Sequence, residues 1–273
     1  MGLNGKLEIY GLTDVGLKRS HNEDAIDSDN DLGVAVLADG MGGYKAGEVA
    51  SSIAVSILMD ELRRGLKRVA GRKIDEESGF SQETLLIRSA ILKANETIYQ
   101  TAQSQPQCQG MGTTLVAVAF YDNRLTIAHV GDSRLYRYRD QVLEQVTSDH
   151  SLLQELIDKG FYTPEEAKRS LNKNLVTRAI GIETAVTPDL QEEIVKPGDI
   201  YLLCSDGLSD LVEHEVMQQV LKQSGSDLRA AATRLVSTAN ENGGKDNISV
   251  ILARAIKSFA TKRSWYTRVF DWF

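Results

Sequence analysis

Gly33-Val34-Ala35-Val36-Leu37-Ala38-Asp39-Gly40 is a short apolar run that stops at an aspartate and a glycine. A run of this length, bounded by turn residues, reads as a buried strand. The same design returns in Ile127-Ala128-His129-Val130-Gly131-Asp132 and in Tyr201-Leu202-Leu203-Cys204-Ser205-Asp206-Gly207, while Asp246-Asn247 opens a last run from Ile248 to Ala253. An aspartate at a strand terminus projects from the rim of its sheet, so four of them converge if the strands are neighbours. Each Asp-Gly alone also reads as a turn. Together they would form a carboxylate cluster that is costly without a cation.

Working outward, further strand-length runs are Leu7 to Leu12, Thr114 to Phe120, Leu125 to Val130 and Leu135 to Tyr138, with Ile200 to Cys204 at the heart of the third motif. Short polar links, Tyr121-Asp122-Asn123-Arg124 and Arg139-Asp140-Gln141-Val142, predict antiparallel hairpins. Between the strands lie helical stripes: Ala50, Ile53, Ala54 and Ile57; Ile87, Ala90, Ile91, Ala94 and Ile98; and Leu228, Ala231, Ala232, Leu235, Val236 and Ala239. Hairpins with amphipathic helices imply an α+β protein whose sheets are covered by helices.

The chain has 273 residues, 42% hydrophobic and 25% charged, enough for a sizeable core, and no linker-like tract divides it. A formal charge of -7 disfavours nucleic acid and anionic membrane as partners. Two cysteines, Cys108 and Cys204, make no disulfide framework or zinc site. Neither a signal-like apolar start nor a run of about 18 apolar residues occurs, and Lys6 stands where a myristoylation pattern wants Ser or Thr, so a cytoplasmic protein is expected.

Carboxylates are the hard ligands that magnesium and manganese prefer. Two such ions roughly 3.5 to 4 Å apart can activate a water for in-line attack on a phosphoryl group and neutralise its oxygens. Arg19, within Asp14-Val15-Gly16-Leu17-Lys18-Arg19-Ser20-His21-Asn22-Glu23-Asp24, can offer a bidentate fork to that phosphate.

These motifs resemble those of the PP2C, or PPM, family of metal-dependent protein serine/threonine phosphatases in its bacterial form. The resemblance is carried, in family order, by 16–24, Ala38-Asp39-Gly40-Met41-Gly42-Gly43, Gly110-Met111-Gly112-Thr113-Thr114, His129-Val130-Gly131-Asp132-Ser133-Arg134, Ser205-Asp206-Gly207-Leu208 and Gly244-Lys245-Asp246-Asn247. It implies a central sandwich of two antiparallel β-sheets flanked by helices on both sides, with the metals in a cleft at one end. By that resemblance Asp39 bridges two Mg²⁺ or Mn²⁺ ions, the Gly40 carbonyl binds one, Asp206 and Asp246 complete the other, and Asp132 matches the ligand of a third, weaker ion. Glu23 and Asp24 would hold metal-bound waters, Arg19 would grip the substrate phosphate, and Asn247 would support the site by hydrogen bonding. The implied reaction is hydrolysis of phosphoserine and phosphothreonine in proteins without a covalent phosphoenzyme, reversing a bacterial Ser/Thr kinase.

One departure matters. Eukaryotic relatives carry a histidine where this chain has Met41, and methionine cannot transfer a proton to the leaving alkoxide; the general acid is then a metal-bound water, another side chain, for which His21 and Tyr44 are the candidates, or absent. Residues 148–181 resemble the family's flap, with Leu152, Leu153, Leu156 and Ile157 on one helical face and Thr163-Pro164-Glu165-Glu166 as a helix start. The expected organisation is one phosphatase domain, 1–256, followed by a basic and aromatic tail, 257–273, that folds back, meets a membrane or docks a partner. Expected partners are phosphorylated proteins and a Ser/Thr kinase, and a monomer is expected. Two rivals remain open: a catalytically dead binding relative, disfavoured because Asp39, Asp206 and Asp246 all stand, and a two-metal hydrolase of nucleotides or small phosphoesters.

Overall fold

The structure is a computed structural model that describes residues 2–43, 46–69, 74–163, 166 and 175–260. Its strands alternate in the way their sequences require. In β3 (Val34–Met41), Val34, Val36 and Ala38 face one way while Ala35 and Leu37 face the other, and both sets are fully buried. A strand buried on both faces must be covered twice, and this one is.

Two antiparallel sheets supply one of the covers. The first runs β1 (Leu7–Asp14), β11 (Ile248–Ala255), β10 (Ile200–Cys204), β7 (Arg134–Arg139), β8 (Val142–Gln145). The second runs β2 (Asp24–Asp29), β3, β5 (Leu115–Tyr121), β6 (Arg124–Val130), β9 (Asp189–Ile194), with the two-residue β4 (Gly112–Thr113) beside the end of β3. Ala35, Leu37, Val116, Val118, Leu125 and Ile127 of the second sheet meet Leu7, Ile9, Leu135, Tyr201, Leu203 and Ile251 of the first. Each such Leu or Ile stabilises the fold by about 1.5–3 kcal/mol relative to leaving it in water.

Helices cover the outer faces. α1 (Ala46–Gly65) and α2 (Gln82–Ser104) pack on the Val34, Val36, Ala117 and Ala128 face. α5 (His214–Ser224) and α6 (Leu228–Glu241) pack on the Leu202, Cys204, Val250 and Leu252 face. Two short helices, α3 (Leu152–Asp158) and α4 (Asp206–Ser209), complete the list of elements used below. Two of the stripes expected from the sequence are buried throughout, Ile87, Ala90, Ile91, Ala94 and Ile98 in α2 and Leu228, Ala231, Ala232, Leu235, Val236 and Ala239 in α6, whereas α1 buries Ala50, Ala54, Val55, Leu58, Met59 and Leu62 and leaves the expected Ile53 and Ile57 half-buried. Ser81 starts that helix by accepting the Thr84 N–H at 3.1 Å, and Asp227 does the same for α6 with Ala230 at 2.9 Å. The layers are therefore helix, sheet, sheet, helix, the expected sandwich.

Both expected hairpins form. Asp122 and Asn123 (φ 46° and 56°) join β5 to β6, and Asp140 and Gln141 (φ 52° and 67°) join β7 to β8. Positive φ at both central residues gives the turn twist that matches the strands. Edge strands β2 and β9 have no counterpart in the sequence reading, because half of the residues in Asp24-Ala25-Ile26-Asp27-Ser28-Asp29 and in Asp189-Leu190-Gln191-Glu192-Glu193-Ile194 are acidic; charge on an edge blocks further pairing at the cost of the apolar signal. In the flap, α3 has its Leu and Ile side chains half-buried. Thr163 and Glu166 exchange capping hydrogen bonds, Thr163 N–H to Glu166 Oε2 at 2.9 Å and Glu166 N–H to Thr163 Oγ1 at 3.3 Å. Pro164, Glu165 and residues 167–174 lie outside the described residues, as do Tyr44 and residues 261–273. Phe259, on the tail side of the expected boundary, is buried edge-on to Phe120 with ring centroids 6.3 Å apart.

Candidate metal centre

The topology places four strand ends together. β3 is paired with β2 so that Asp39 stands directly opposite Asp24, and β10 lies between β11 and β7, which brings Asp206 toward Asp246 and Asp132. Arg19, Glu23, Asp39, Gly40, Asp132, Asp206, Asp246 and Asn247 all line one cleft of 440 Å³, together with Met41, Thr114, Leu175 and Val176. Residues 227 positions apart in sequence thus meet: Arg19 Nη2 donates to Asp246 Oδ2 at 2.7 Å.

Backbone packing holds the ligand-bearing loops at close range. A Cβ on Gly40 would stand 2.1 Å from the Gly47 carbonyl oxygen and 2.6 Å from that of Glu23, so only glycine lets β3 approach the start of α1. Gly40 N–H donates to Glu23 O at 3.1 Å, and the same oxygen accepts from Ser51 Oγ at 2.6 Å. Asn247 ties the Arg19 loop down, accepting Glu23 N–H at 2.8 Å and donating to Val15 O at 2.9 Å and His21 O at 3.0 Å. That is the hydrogen-bonding support expected of it. Ser205 Oγ donates to Asp24 Oδ2 at 2.8 Å.

Electrostatics mark the same spot. Loss of hydration, then the charges of Asp24, Asp206, Asp132 and Asp246, push the Asp39 carboxyl well above the usual aspartate range. Burial first, with Asp132 and Asp246 next, raises Asp206 to about 8. Burial and then Asp149 raise Asp132 to about 6, and Asp24 is raised chiefly by burial. Its Oδ1 is buried without a hydrogen-bond partner. Crowded, dehydrated carboxylates with an orphaned oxygen fit divalent hard cations, which would relieve the repulsion and take the unmet lone pairs. The donor set is all oxygen, which suits magnesium or manganese rather than zinc.

The remaining candidates fall elsewhere. His21 Nδ1 lies 2.9 Å from Ser20 Oγ and its Nε2 3.6 Å from Oε1 of the cleft-lining Glu23, but His21 itself does not line the cleft. His150 is buried away from the cleft lining, with Nδ1 accepting Gly131 N–H at 3.1 Å. It stacks on His129 at 4.6 Å and forms, with Asp189, a second group of metal-binding residue types. There Arg178 Nη1 already sits 2.6 Å from Asp189 Oδ1 and 3.0 Å from His150 Nε2. Burial, then His129 and Arg178, push His150 down to about 4. The guanidinium, which can only donate, contacts both His150 Nε2 and Asp189 Oδ1 and already supplies the positive charge that a metal ion would bring.

Sequence reasoning assigned no role to Thr114, Ser133 or Ser205, although the motifs contain all three. Hydroxyls buried beside carboxylates, as these are, are the signal that becomes visible only with coordinates.

The protein phosphatase 2C family model matches residues 18–253. The serine/threonine phosphatase stp of Listeria monocytogenes is 39% identical over 243 residues, 88% of this chain and 92% of that protein. The crystal structure of the Mycobacterium tuberculosis serine/threonine phosphatase PstP/Ppp superposes with a TM-score of 0.80 at 36% identity, covering 91% of this chain and 98% of that one. A PstP catalytic domain solved with two manganese ions gives 0.78 at 36% identity, covering 91% and 97%. With every carboxylate of the cleft inside the matched span and the layered sandwich shared, the chain belongs to the protein phosphatase 2C family.

Proposed function

We propose that this chain is a metal-dependent protein serine/threonine phosphatase whose reaction takes place in the Asp39 cleft and opposes a Ser/Thr kinase acting on the same proteins. The observation that carries the reading is the convergence of Asp39, Asp206 and Asp246 with Asp24 and Asp132, charges that repel one another until cations arrive. Asp39, the Gly40 carbonyl, Asp206 and Asp246 would hold a pair of magnesium or manganese ions, and Asp132 a weaker third. Bound ions supply a nucleophilic water at neutral pH and neutralise the phosphoryl oxygens.

The chain's own groups do the rest. Arg19 stands at the rim, its guanidinium partly exposed and tied to Asp246 through one nitrogen, leaving other N–H groups for a phosphate oxygen. Glu23 and Asp24 are anchored, by Asn247 and Ser205 respectively, and would orient solvent on the cleft floor. Leu175 and Val176 of the flap and Met41 form the apolar side of the cleft; none of the three can donate a proton to the leaving serine or threonine oxygen. The catalytic unit is taken as residues 1–256 with its flap at 148–181, and the tail begins at 257. No helix among the described residues is long and apolar enough to cross a membrane.

Relative rates on phosphoserine and phosphothreonine peptides, nucleotides and an aryl phosphate, each with manganese and with chelator, test the reading. Phosphopeptide turnover that vanishes with chelator is expected. A strong preference for nucleotides would replace protein substrates by small phosphoesters, and no turnover with any metal would favour a binding relative.

A further inference from the structure

Thr114 follows Thr113, the last residue of β4, and is 2% exposed. It clasps the Asp39 backbone from both sides. Asp39 N–H donates to Thr114 Oγ1 at 3.0 Å, and Thr114 N–H donates to the Asp39 carbonyl at 2.8 Å. Thr113 Oγ1 donates to that same carbonyl at 2.8 Å. The backbone of Asp39 is thereby saturated, and its carboxylate is aimed by groups that belong to another strand.

The other side of Thr114 reaches a different loop. Its Oγ1 lies 2.7 Å from Ser133 Oγ, and Ser133 is 1% exposed and adjacent to Asp132. On the far flank of Asp132, Gly131 has φ 101°, and a Cβ there would stand 2.7 Å from both Cβ and Cγ2 of Thr114. Both neighbours of Asp132 therefore rest on this one side chain. A buried hydroxyl pair is held firmly because an unmade hydrogen bond there costs the full desolvation of each group.

We propose that Thr114 is a positioning residue whose hydroxyl, paired with Ser133, sets the separation of the Asp39 and Asp132 carboxylates and so couples the cation held at Asp39 to the one held at Asp132. The inference rests on the metal reading of the cleft and adds to it a residue that binds no metal itself. Removing the hydroxyl while keeping its shape, in Thr114→Val, leaves the Asp39 N–H and Ser133 Oγ without their partner and lets the two loops drift apart.

Manganese titration by calorimetry on the full chain, with wild type, Thr114→Val, Thr114→Ser and Ser133→Ala, tests this alongside melting of each metal-free protein. The weakest manganese equivalent should bind about 10-fold or more weakly in Thr114→Val, the scale of losing a group that orients a metal ligand. Ser133→Ala should weaken the same equivalent, Thr114→Ser should restore most of the loss, and the activity deficit of Thr114→Val should shrink as manganese is raised. Unaltered affinity and stoichiometry in both Thr114→Val and Ser133→Ala would overturn the proposal. So would a Thr114→Ser protein as weak as Thr114→Val, since the methyl packing and not the hydroxyl would then matter. Should Thr114→Val fail to fold, Ser133→Ala decides alone. A wild-type protein that takes up no manganese would instead sink the underlying metal reading.

Discussion

The cleft around Asp39 and the group formed by His129, His150 and Asp189 both gather residue types that bind metals, yet they balance charge in opposite ways. In the histidine group Arg178 lies within 2.6 Å of the single carboxylate, and His150 is held neutral by burial and by that guanidinium. In and beside the cleft, among the described residues, no lysine or arginine forms an ion pair with Asp24, Asp39, Asp132 or Asp206; Arg19 is paired with Asp246 at the rim and acts on Asp39 and Glu23 only from a distance, as Arg134, paired with Asp149, does on Asp132. Proximity of ligand types is thus a poor guide by itself. Unmet charge is the better one, because a cluster with its own cation has nothing to gain from an external ion.

The comparison breaks first at Asp206. Asp206→Asn should lower metal-dependent turnover by more than about 100-fold, beyond the cost of disturbing a group that merely orients a metal ligand. Manganese should also stop raising the melting temperature, since only a bound ion stabilises the fold by mass action. Phosphopeptide kinetics and melting with and without manganese check both. Near-normal turnover would show that the cleft's charge serves no cation.

A second break concerns pH in the metal-free protein. Asp206 is raised to about 8 and Asp132 to about 6 in the fold, against about 3.9 for an unfolded aspartate. Groups raised in this way stabilise the fold fully below their unfolded value, and that contribution disappears as pH rises through the folded values. Wild type should therefore lose stability relative to Asp206→Asn from about pH 4 upward, at a nearly constant slope between the two values and levelling off above about pH 8, and the gap should close when manganese is added to wild type. Chelator-treated melts across that range measure it; a gap independent of pH would mean that Asp206 is not under electrostatic pressure.

Much of this was legible in the sequence, and the parts that were not share a cause. Asp39, Asp132, Asp206 and Asp246 were readable because apolar strands such as Val34–Ala38 and Tyr201–Cys204 point at them, and burial on both faces leaves a strong signal. Strands β2 and β9 were silent because an edge strand needs only one partner and carries its protection as charge. The roles of Thr114, Ser133 and Ser205 depend on hydrogen bonds across strands remote in sequence, which no local pattern encodes. The pairing of Arg178 with Asp189 was equally hidden, so the histidine group becomes a false metal site only when coordinates show the guanidinium.

Arg19 sharpens the contrast from the rim. Arg19→Ala should raise KM for phosphopeptides by about 10-fold, the scale of a lost charged hydrogen bond at a partly exposed site, with a smaller change in kcat. It also frees Asp246 from its ion pair, so half-saturating manganese should fall rather than rise. An unchanged KM with collapsed kcat would mean that Arg19 acts on the reacting atoms and not on binding.

The smallest effect belongs to the histidine group. Asp189 is about half exposed, so its pair with Arg178 is screened and should contribute only about 0.2–1 kcal/mol. Asp189→Asn should lower the melting temperature slightly and leave manganese affinity and stoichiometry as they were, because Asp189 faces Arg178 and His150 and none of the cleft carboxylates. The amide keeps Oδ1 as an acceptor for Arg178 but loses the charge, and the guanidinium retains its bond to Thr187 O at 3.1 Å. Manganese calorimetry on this variant is the sharper measurement of the two. A lost manganese equivalent would place an ion among His129, His150 and Asp189 after all, and the distinction between met and unmet charge would no longer separate the two clusters.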